Sequence, residues 1–188
     1  MSDIYQEIQK RILILDGAMG TMLQQYNFSE EDYRGQRFKD YPSSLKGNND
    51  LLSLTQPAAV KEVHRKYFAA GADIVETNTF SSTTIAMADY GMENLVYEIN
   101  YESAKLAKEA AAEFTEKEPH KPRFVVGSIG PTNRTASMSP DVNDPGYRAV
   151  TFDELRVSYK QQVEALLDGG TDLLMVETVF DTLNAKAA

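Results

Sequence analysis

Short runs of apolar residues alternate along the chain with longer segments in which apolar residues recur every three to four positions. The short runs are ILILDG at 12–17, ADIVET at 72–77, RFVVGS at 123–128 and TDLLMVET at 171–178. Continuous apolar runs of this length, bounded by Gly, Asp or Thr, are typical of strands buried on both faces of a parallel sheet. The pattern therefore predicts four buried strands separated by helices.

Helices are predicted between the second, third and fourth strands and before the second. Pro57 suits the first turn of one helix and Gly71 its end. The next helix carries an apolar stripe formed by Leu95, Ile99, Leu106, Ala110 and Phe114. A capping box at Thr151 and Glu154 opens the third helix, which Gly169 should end. The inner face of this third helix is predicted to consist of Phe152, Leu155, Tyr159, Val163 and Leu166. "DTLNAKAA" then begins a further helix.

This alternation of strands and helices predicts an α/β fold with a parallel sheet covered by helices. An open doubly wound sheet and a (β/α)8 TIM barrel share that order. A Gly-x-Asp-(apolar)-Glu-Thr unit occurs at 71–77 and again at 170–178, and such likeness between units favours the barrel. A full barrel takes roughly 250 residues. We therefore expect residues 1–188 to be one domain holding about the first four βα units.

Composition narrows the function classes. The net charge is −9 and the pI about 4.8, which disfavours nucleic acid as a partner. No apolar run is long enough for a membrane span, and the first residues do not resemble a secretory signal, so we expect a cytoplasmic protein. The chain has no cysteine, and His64 and His120 form no metal motif, so no metal site is expected within it.

Polar residues stand where predicted strands end. Asp16, Thr77 and Glu177 fall at three such ends, and in a barrel these ends open onto one face. Two carboxylates and a hydroxyl suit a ligand with an ammonium group, because charge-assisted hydrogen bonds are strong. Gly17 lets backbone N–H groups approach a ligand carboxylate. Together these residues indicate an amino-acid site.

Other interpretations of the same residues remain open. Asp16 could cap a short helix in "GAMGTM", and Glu76 and Glu177 could pair with a neighbouring Lys or Arg or simply be solvated. His64 suits packing on a helix face better than metal binding. "GSIGPT" could cradle a phosphate in an unrelated barrel enzyme, although it fits no phosphate-loop motif. A binding module without catalysis is a further alternative.

Long stretches of the chain are similar to a known family. "ILDGAMGTMLQ", "NNDLLSLTQPAAVKEVHRKYFAAGADIVETNTF", "VVGSIGPTNRTASMSPD" and "LLMVETVFDTLNAKAA" resemble the amino-terminal homocysteine-binding domain of cobalamin-dependent methionine synthases. The Asp-Gly of the first strand and the Glu of the fourth also resemble the wider homocysteine methyltransferase family. The resemblance covers nearly the whole chain.

The resemblance implies a (β/α)8 barrel that binds L-homocysteine and methylates its sulfur to give methionine. It implies that Asp16 and Glu177 hold the ammonium group, and that Gly17 with its neighbouring N–H groups and Thr77 hold the polar end. Glu76 matches no carboxylate of the wider family and is left out of the site. The methyl group would come from methylcobalamin, with the cobalamin and folate domains of the parent protein as partners.

The same resemblance implies a zinc ion that is held by cysteines on later strands. Since this chain has no cysteine, its zinc ligands and the remaining half of the barrel are expected outside it, and the chain by itself is expected to contain no catalytic residue and to be inactive. Its first and fourth strands would present unpaired edges. We therefore expect either self-association or dependence on the rest of the barrel.

Overall fold

The structure, a computed structural model, describes residues 4–188 and contains a parallel three-stranded sheet. The strands are β1 (Ile74–Glu76), β2 (Phe124–Ile129) and β3 (Leu173–Val176), and they lie side by side in sequence order. Ile74 pairs with Phe124, and Val126 pairs with Leu173. The predicted parallel α/β arrangement is confirmed for these strands.

Helices precede and follow each strand. They are α1 (Ile4–Ile8), α2 (Met19–Gln24), α3 (Glu30–Arg34), α4 (Leu52–Thr55), α5 (Pro57–Ala70), α6 (Thr84–Met87), α7 (Val96–Lys117), α8 (Phe152–Asp168) and α9 (Thr182–Ala187). Short 3-10 turns occupy Asn49–Leu51, Ala88–Tyr90 and Glu93–Leu95. No helix among residues 4–188 is long and apolar enough to cross a membrane.

The predicted helix ends are confirmed where a specific residue signals them. Pro57 opens α5, and Gly71 ends it with a left-handed φ of 112°. Thr151 and Glu154 form both hydrogen bonds of a capping box at the start of α8. Each signal works because it satisfies or removes a backbone group that a helix end leaves unpaired.

The predicted strand at 12–17 is wrong in its extent. Only Leu15 forms a bridge there, parallel to Ile74, while the N–H of Asp16 donates to the Ile74 carbonyl at 2.9 Å. Ile12 is 85% exposed and Ile14 54% exposed, so this segment is not buried on both faces. Among the described residues, β1 is the one strand that pairs with the segment 12–17, and the opposite edge of this segment has no pairing partner.

The opposite edge of the sheet also departs from the prediction. In β3, Leu174 is 39% exposed and Val176 45% exposed, whereas every residue of β2 is buried. A central strand has a neighbour on each side and helices over it, but β3 has one paired edge among residues 4–188. Full burial is therefore confirmed for β2 alone.

Helix packing covers the sheet through small side chains. The buried face of α7 includes Ala104, Ala107, Ala110 and Ala111, while the predicted stripe residues Leu106 and Phe114 are only partly buried. The alanines let α5, α8 and the sheet approach α7 closely. In α8, Phe152 is 39% exposed, against prediction, because it occupies the first turn, one turn before the buried face begins at Leu155.

We predict that Gly169→Ala destabilises the fold. A Cβ at Gly169 would lie 2.5 Å from the Ala104 Cβ and 2.7 Å from the Tyr101 carbonyl oxygen, so α7 and α8 would have to separate. Overpacking of this kind costs about 1–3 kcal/mol of unfolding free energy. Urea denaturation beside Gly20→Ala, whose Cβ would meet only Asn49 Nδ2 at 3.8 Å, provides the matched control. Equal stability of the two variants would contradict the prediction.

Candidate functional site

The carboxyl ends of the strands meet at one edge of the sheet, and three acidic residues lie there. Asp16 follows the Leu15–Ile74 bridge, Glu76 is the last residue of β1, and Glu177 directly follows β3. Parallel strands in sequence order bring these positions together without any further requirement on the loops. The topology therefore places three acidic residues at one edge of the sheet, with Asp16 next to Glu76 and with β2 between Glu76 and Glu177.

Asp16 is held against the end of β1. Both of its carboxylate oxygens accept a hydrogen bond from the backbone N–H of Glu76, at 3.1 and 3.2 Å. The interpretation of Asp16 as a helix cap is wrong, since α2 begins after Ala18 and has no side-chain cap. The pKa of Asp16 is raised to about 8. Burial is the main cause, the negative charges of Glu76 and Glu177 act in the same direction, and the hydrogen bond from the Glu76 N–H acts against them.

Glu76 differs from its neighbours because no hydrogen bond or ion pair involves its carboxyl group within residues 4–188. Its side chain lines the cavity described below and is half-buried. The pKa of Glu76 is raised to about 7, mainly by burial and also by the negative charge of Glu177. An unpaired carboxyl of this kind is available to a ligand.

Glu177 is oriented by the neighbouring strand. The Ser128 hydroxyl in β2 donates a hydrogen bond to Glu177 Oε1, and the N–H of Glu177 donates to the Ile129 carbonyl at 3.0 Å. Thr178, the next residue, has a φ of 55°, which is strained for a β-branched side chain. Such strain is characteristic of functional sites, and here it adjoins the acid that the sequence singled out.

Thr77 lies in the cavity wall, but its hydroxyl is already engaged. The Thr77 oxygen accepts from the N–H of Ser128 at 3.0 Å and is 2.6 Å from the Thr79 hydroxyl. Because Thr79 gives its own proton to the Ser128 carbonyl, Thr77 must donate in the Thr77–Thr79 bond. Thr77 thus ties the end of β1 to β2.

Asp16 and Gly17 both lie outside the cavity wall, which begins at Ala18 on this segment. A Cβ at Gly17 would meet the Tyr67 hydroxyl at 3.3 Å, so a side chain here would press on α5. The Tyr67 hydroxyl itself donates weakly to the Ala18 carbonyl at 3.3 Å. The Tyr67 ring of α5 therefore packs against Gly17 where a side chain would otherwise lie.

A cavity of about 520 Å³ lies at these strand ends. Four of its lining residues are acidic: Asp50, Glu76, Asp89 and Glu177. Its wall, as far as residues 4–188 form it, contains no Lys or Arg. The remaining side chains are mainly amide, hydroxyl or apolar groups: Asn48, Asn49, Asn78, Asn133, Thr77, Thr79, Ser81, Tyr90, Phe80, Met19 and Met87. The cavity therefore favours a cationic group.

Sequence reasoning missed Asp50 and Asn78. Asp50 is buried, accepts from the N–H of Ser81 at 2.8 Å, and has its pKa raised to about 6 by burial. The Asn78 amide donates to the Asn49 carbonyl at 2.8 Å. Two sequence features could have identified them: the run "NND", which contains Asp50, and "ETNTF", which contains Asn78. In both, polar residues lie next to an apolar segment.

Metal binding has no support in the described part of the chain. Within residues 4–188, no group of three or more His, Asp or Glu side chains could hold a metal ion. His64 is fully buried and neither ring nitrogen has a partner, and burial lowers its pKa to about 4. It is a neutral residue of the α5 packing face.

Solved structures with a similar fold are homocysteine methyltransferases. The metallated form of the homocysteine methyltransferase MmuM from Escherichia coli is 24% identical, with a TM-score of 0.74 over 98% of this chain and 60% of that chain. The oxidised form of that enzyme is 25% identical, with a TM-score of 0.71 over 96% of this chain and 57% of that one. This chain thus spans about 60% of the length of the structures it matches.

The sequence itself matches one family over almost its full length. The family profile described as homocysteine S-methyltransferase matches residues 13–188, which include every acidic residue of the cavity and all three strands. Because this match covers far more than half of the chain, the chain belongs to the homocysteine S-methyltransferase family.

Proposed function

We propose that this chain is the homocysteine-binding part of a cobalamin-dependent methionine synthase. The observation that carries the proposal is the acidic, Lys- and Arg-free cavity at the ends of β1 and β3. L-Homocysteine brings one ammonium group, and such a group binds most strongly to ionised or partly ionised carboxyl oxygens. The motifs "NNDLLSLTQP" and "GPTNRTASMSPDV" support the cobalamin-dependent branch.

Within this site, Asp16 and Glu177 are proposed to hold the ammonium group. The hydrogen bond from Ser128 fixes one oxygen of Glu177 and leaves the other free for the ligand. Gly17 and its neighbouring N–H groups, with Thr77, are proposed to hold the polar end. Thr77 lies in the cavity wall, but its hydroxyl is bonded to Thr79 and to the N–H of Ser128. It would have to give up one of these bonds to bind the ligand.

The proposal includes a (β/α)8 barrel of which residues 1–188 form about the first four units. Strand order supports it, because residues 14–16, β1, β2 and β3 follow one another across the sheet without the reversal of an open doubly wound sheet. A cytoplasmic location stays a prediction from the sequence.

Zinc is proposed for the whole protein, but the residues described here do not fit it. Residues 4–188 contain no group able to hold a metal, and the chain has no cysteine. A zinc ion bound elsewhere in the barrel would favour the thiolate of homocysteine. Methylcobalamin would be held by another domain of the parent protein.

We predict that Glu177→Gln weakens binding of L-homocysteine about 10- to 100-fold. The change removes one charge-assisted hydrogen bond, worth about 1.5–3 kcal/mol. Titration calorimetry with the chain measures the loss, and Asp16→Asn should behave alike. Glu116→Gln, which removes an exposed carboxyl of α7 outside the cavity, is the control. Unchanged affinity in Glu177→Gln would contradict the proposed site.

We also predict that the chain alone does not methylate homocysteine. Incubation with methylcobalamin, zinc and L-homocysteine should give methionine at the background rate, because no thiolate ligand for zinc is present. Chromatographic measurement of methionine tests this. Rapid product formation by the isolated chain would contradict it.

A second candidate function is a half-barrel module that binds or oligomerises without catalysis. Exposed apolar residues at both edges of the sheet favour it: Ile12 and Ile14 at one edge, and Leu174 and Val176 at the other. Patches of this kind usually mark contacts with another surface.

We predict that the isolated chain self-associates for the same reason. Sedimentation velocity should show species larger than the 21.0 kDa monomer, with a fraction that rises with concentration. Paired Ile14→Lys and Leu174→Lys substitutions should shift the distribution towards monomer. A well-folded monomer at every concentration would contradict this prediction.

A further inference from the structure

Glu76 is the carboxyl group of the site to which the proposed function gives no role. It ends β1, lines the cavity beside Glu177, and makes no side-chain hydrogen bond or ion pair within residues 4–188. Its backbone N–H is bonded to both carboxylate oxygens of Asp16. Glu76 is thus linked directly to one proposed ammonium ligand and lies next to the other.

The groups in the cavity wall around Glu76 provide no positive charge. Within residues 4–188 the cavity wall contains no Lys or Arg; Glu177, Asp50, Asp89 and Tyr90 lie in that wall, and Asp16 and Tyr67 lie just outside it. All of these are acids. Arg134, also outside the wall, is 4.0 Å from the Asp89 carboxylate. Burial raises the pKa of Tyr67, and the negative charges of Asp16 and Glu76 act in the same direction.

Charge balance then limits how many of the three carboxyl groups can be ionised. The ammonium group of L-homocysteine raises that limit, because its positive charge offsets part of the repulsion between these carboxyl groups. Three ionised carboxyl groups in a half-buried site would repel one another, and interacting acids of this kind hold protons in common. The empty site must therefore keep a proton that its individual residues would lose in water.

We propose that Glu76 makes binding of the amino acid proton-coupled: it holds a proton while the site is empty and releases it to solvent when the ammonium group binds between Asp16 and Glu177. The Glu76 O–H bond breaks, the proton passes to water or buffer, and the ionised carboxyl is stabilised by the nearby ammonium. Burial and the charge of Glu177, which raise the pKa of Glu76, support this assignment. The inference rests on the proposed function.

The test is titration calorimetry of the chain with L-methionine at pH 7 in two buffers of different ionisation enthalpy. L-Methionine carries the same ammonium group but no thiol, so a released proton comes from the protein. We expect release of about half a proton or more per ligand, and an affinity that rises about tenfold from pH 6 to pH 8. In Glu76→Gln the number of protons released per ligand should fall to less than half of the value for the unmodified chain. The affinity for L-methionine should also change less between pH 6 and pH 8.

Glu116→Gln is the matched control and should behave like the unmodified chain. Glu116 is an exposed acid of α7 that lies outside the cavity wall. Binding enthalpies that are independent of the buffer, or equal proton release with and without Glu76, would overturn the inference. Either result would leave the proposed function standing if L-homocysteine still binds.

A second measurement needs no ligand and separates the two proposals. A carboxyl whose folded pKa is raised binds a proton in the folded chain and not in the unfolded chain, so its ionisation destabilises the fold as pH rises from about 5 to 8. The melting temperature of Glu76→Gln relative to the unmodified chain should therefore increase over this range, whereas that of Glu116→Gln should not. A pH-independent difference for Glu76→Gln would overturn the inference, whether or not homocysteine binds.

Discussion

The repulsion between three carboxyl groups at the ends of parallel strands is the constraint on which the site depends. Asp16, Glu76 and Glu177 come together because the strands run in sequence order, and no Lys or Arg of residues 4–188 lines the cavity beside them. Burial and mutual repulsion raise the pKa of Asp16 to about 8 and that of Glu76 to about 7. The empty site is therefore poised to accept a positive group.

A hydrogen-bond network beneath the site holds these acids in position. Thr77 and Thr79 link the end of β1 to Ser128 of β2, and the Gln162 amide of α8 donates to the Thr79 carbonyl at 2.8 Å. Ser128 in turn orients Glu177. Thr77, Thr79 and Ser128 are buried and hydrogen-bonded, and Gln162 is buried with its amide nitrogen bonded and its oxygen without a partner within residues 4–188. The bonded groups favour one arrangement of the strand ends. The positions of the acids are thus a property of the fold and not of flexible loops.

Much of the fold could be predicted from periodicity and end signals, because both report local requirements. The boundaries of α5 and the capping box of α8 follow from single residues such as Pro57, Gly71 and Thr151. Burial of a strand depends instead on which neighbours lie beside it, and an apolar pattern cannot report that. For this reason residues 12–17 and β3 are predicted to be fully buried from the sequence but have exposed side chains in the structure.

The site was predictable to the extent that topology determined it. Asp16, Thr77 and Glu177 could be placed at strand ends from the pattern of the chain, and the structure brings them to one edge. Glu76 was left out because it matches no carboxylate of the wider family, and the sequence does not show that its carboxyl lacks a partner in the cavity wall. Asp50 lies in a connection without periodicity, and only the folded chain shows that it reaches the cavity.

Carbon-13 NMR titration of the Asp and Glu carboxyl carbons, with and without saturating L-methionine, tests the central claim most directly. The account predicts carboxyl resonances with midpoints near 7 to 8 in the free chain, assigned to Asp16 and Glu76, which move to lower pH when the ligand binds. Midpoints near 4 for every carboxyl group of the free chain would contradict it.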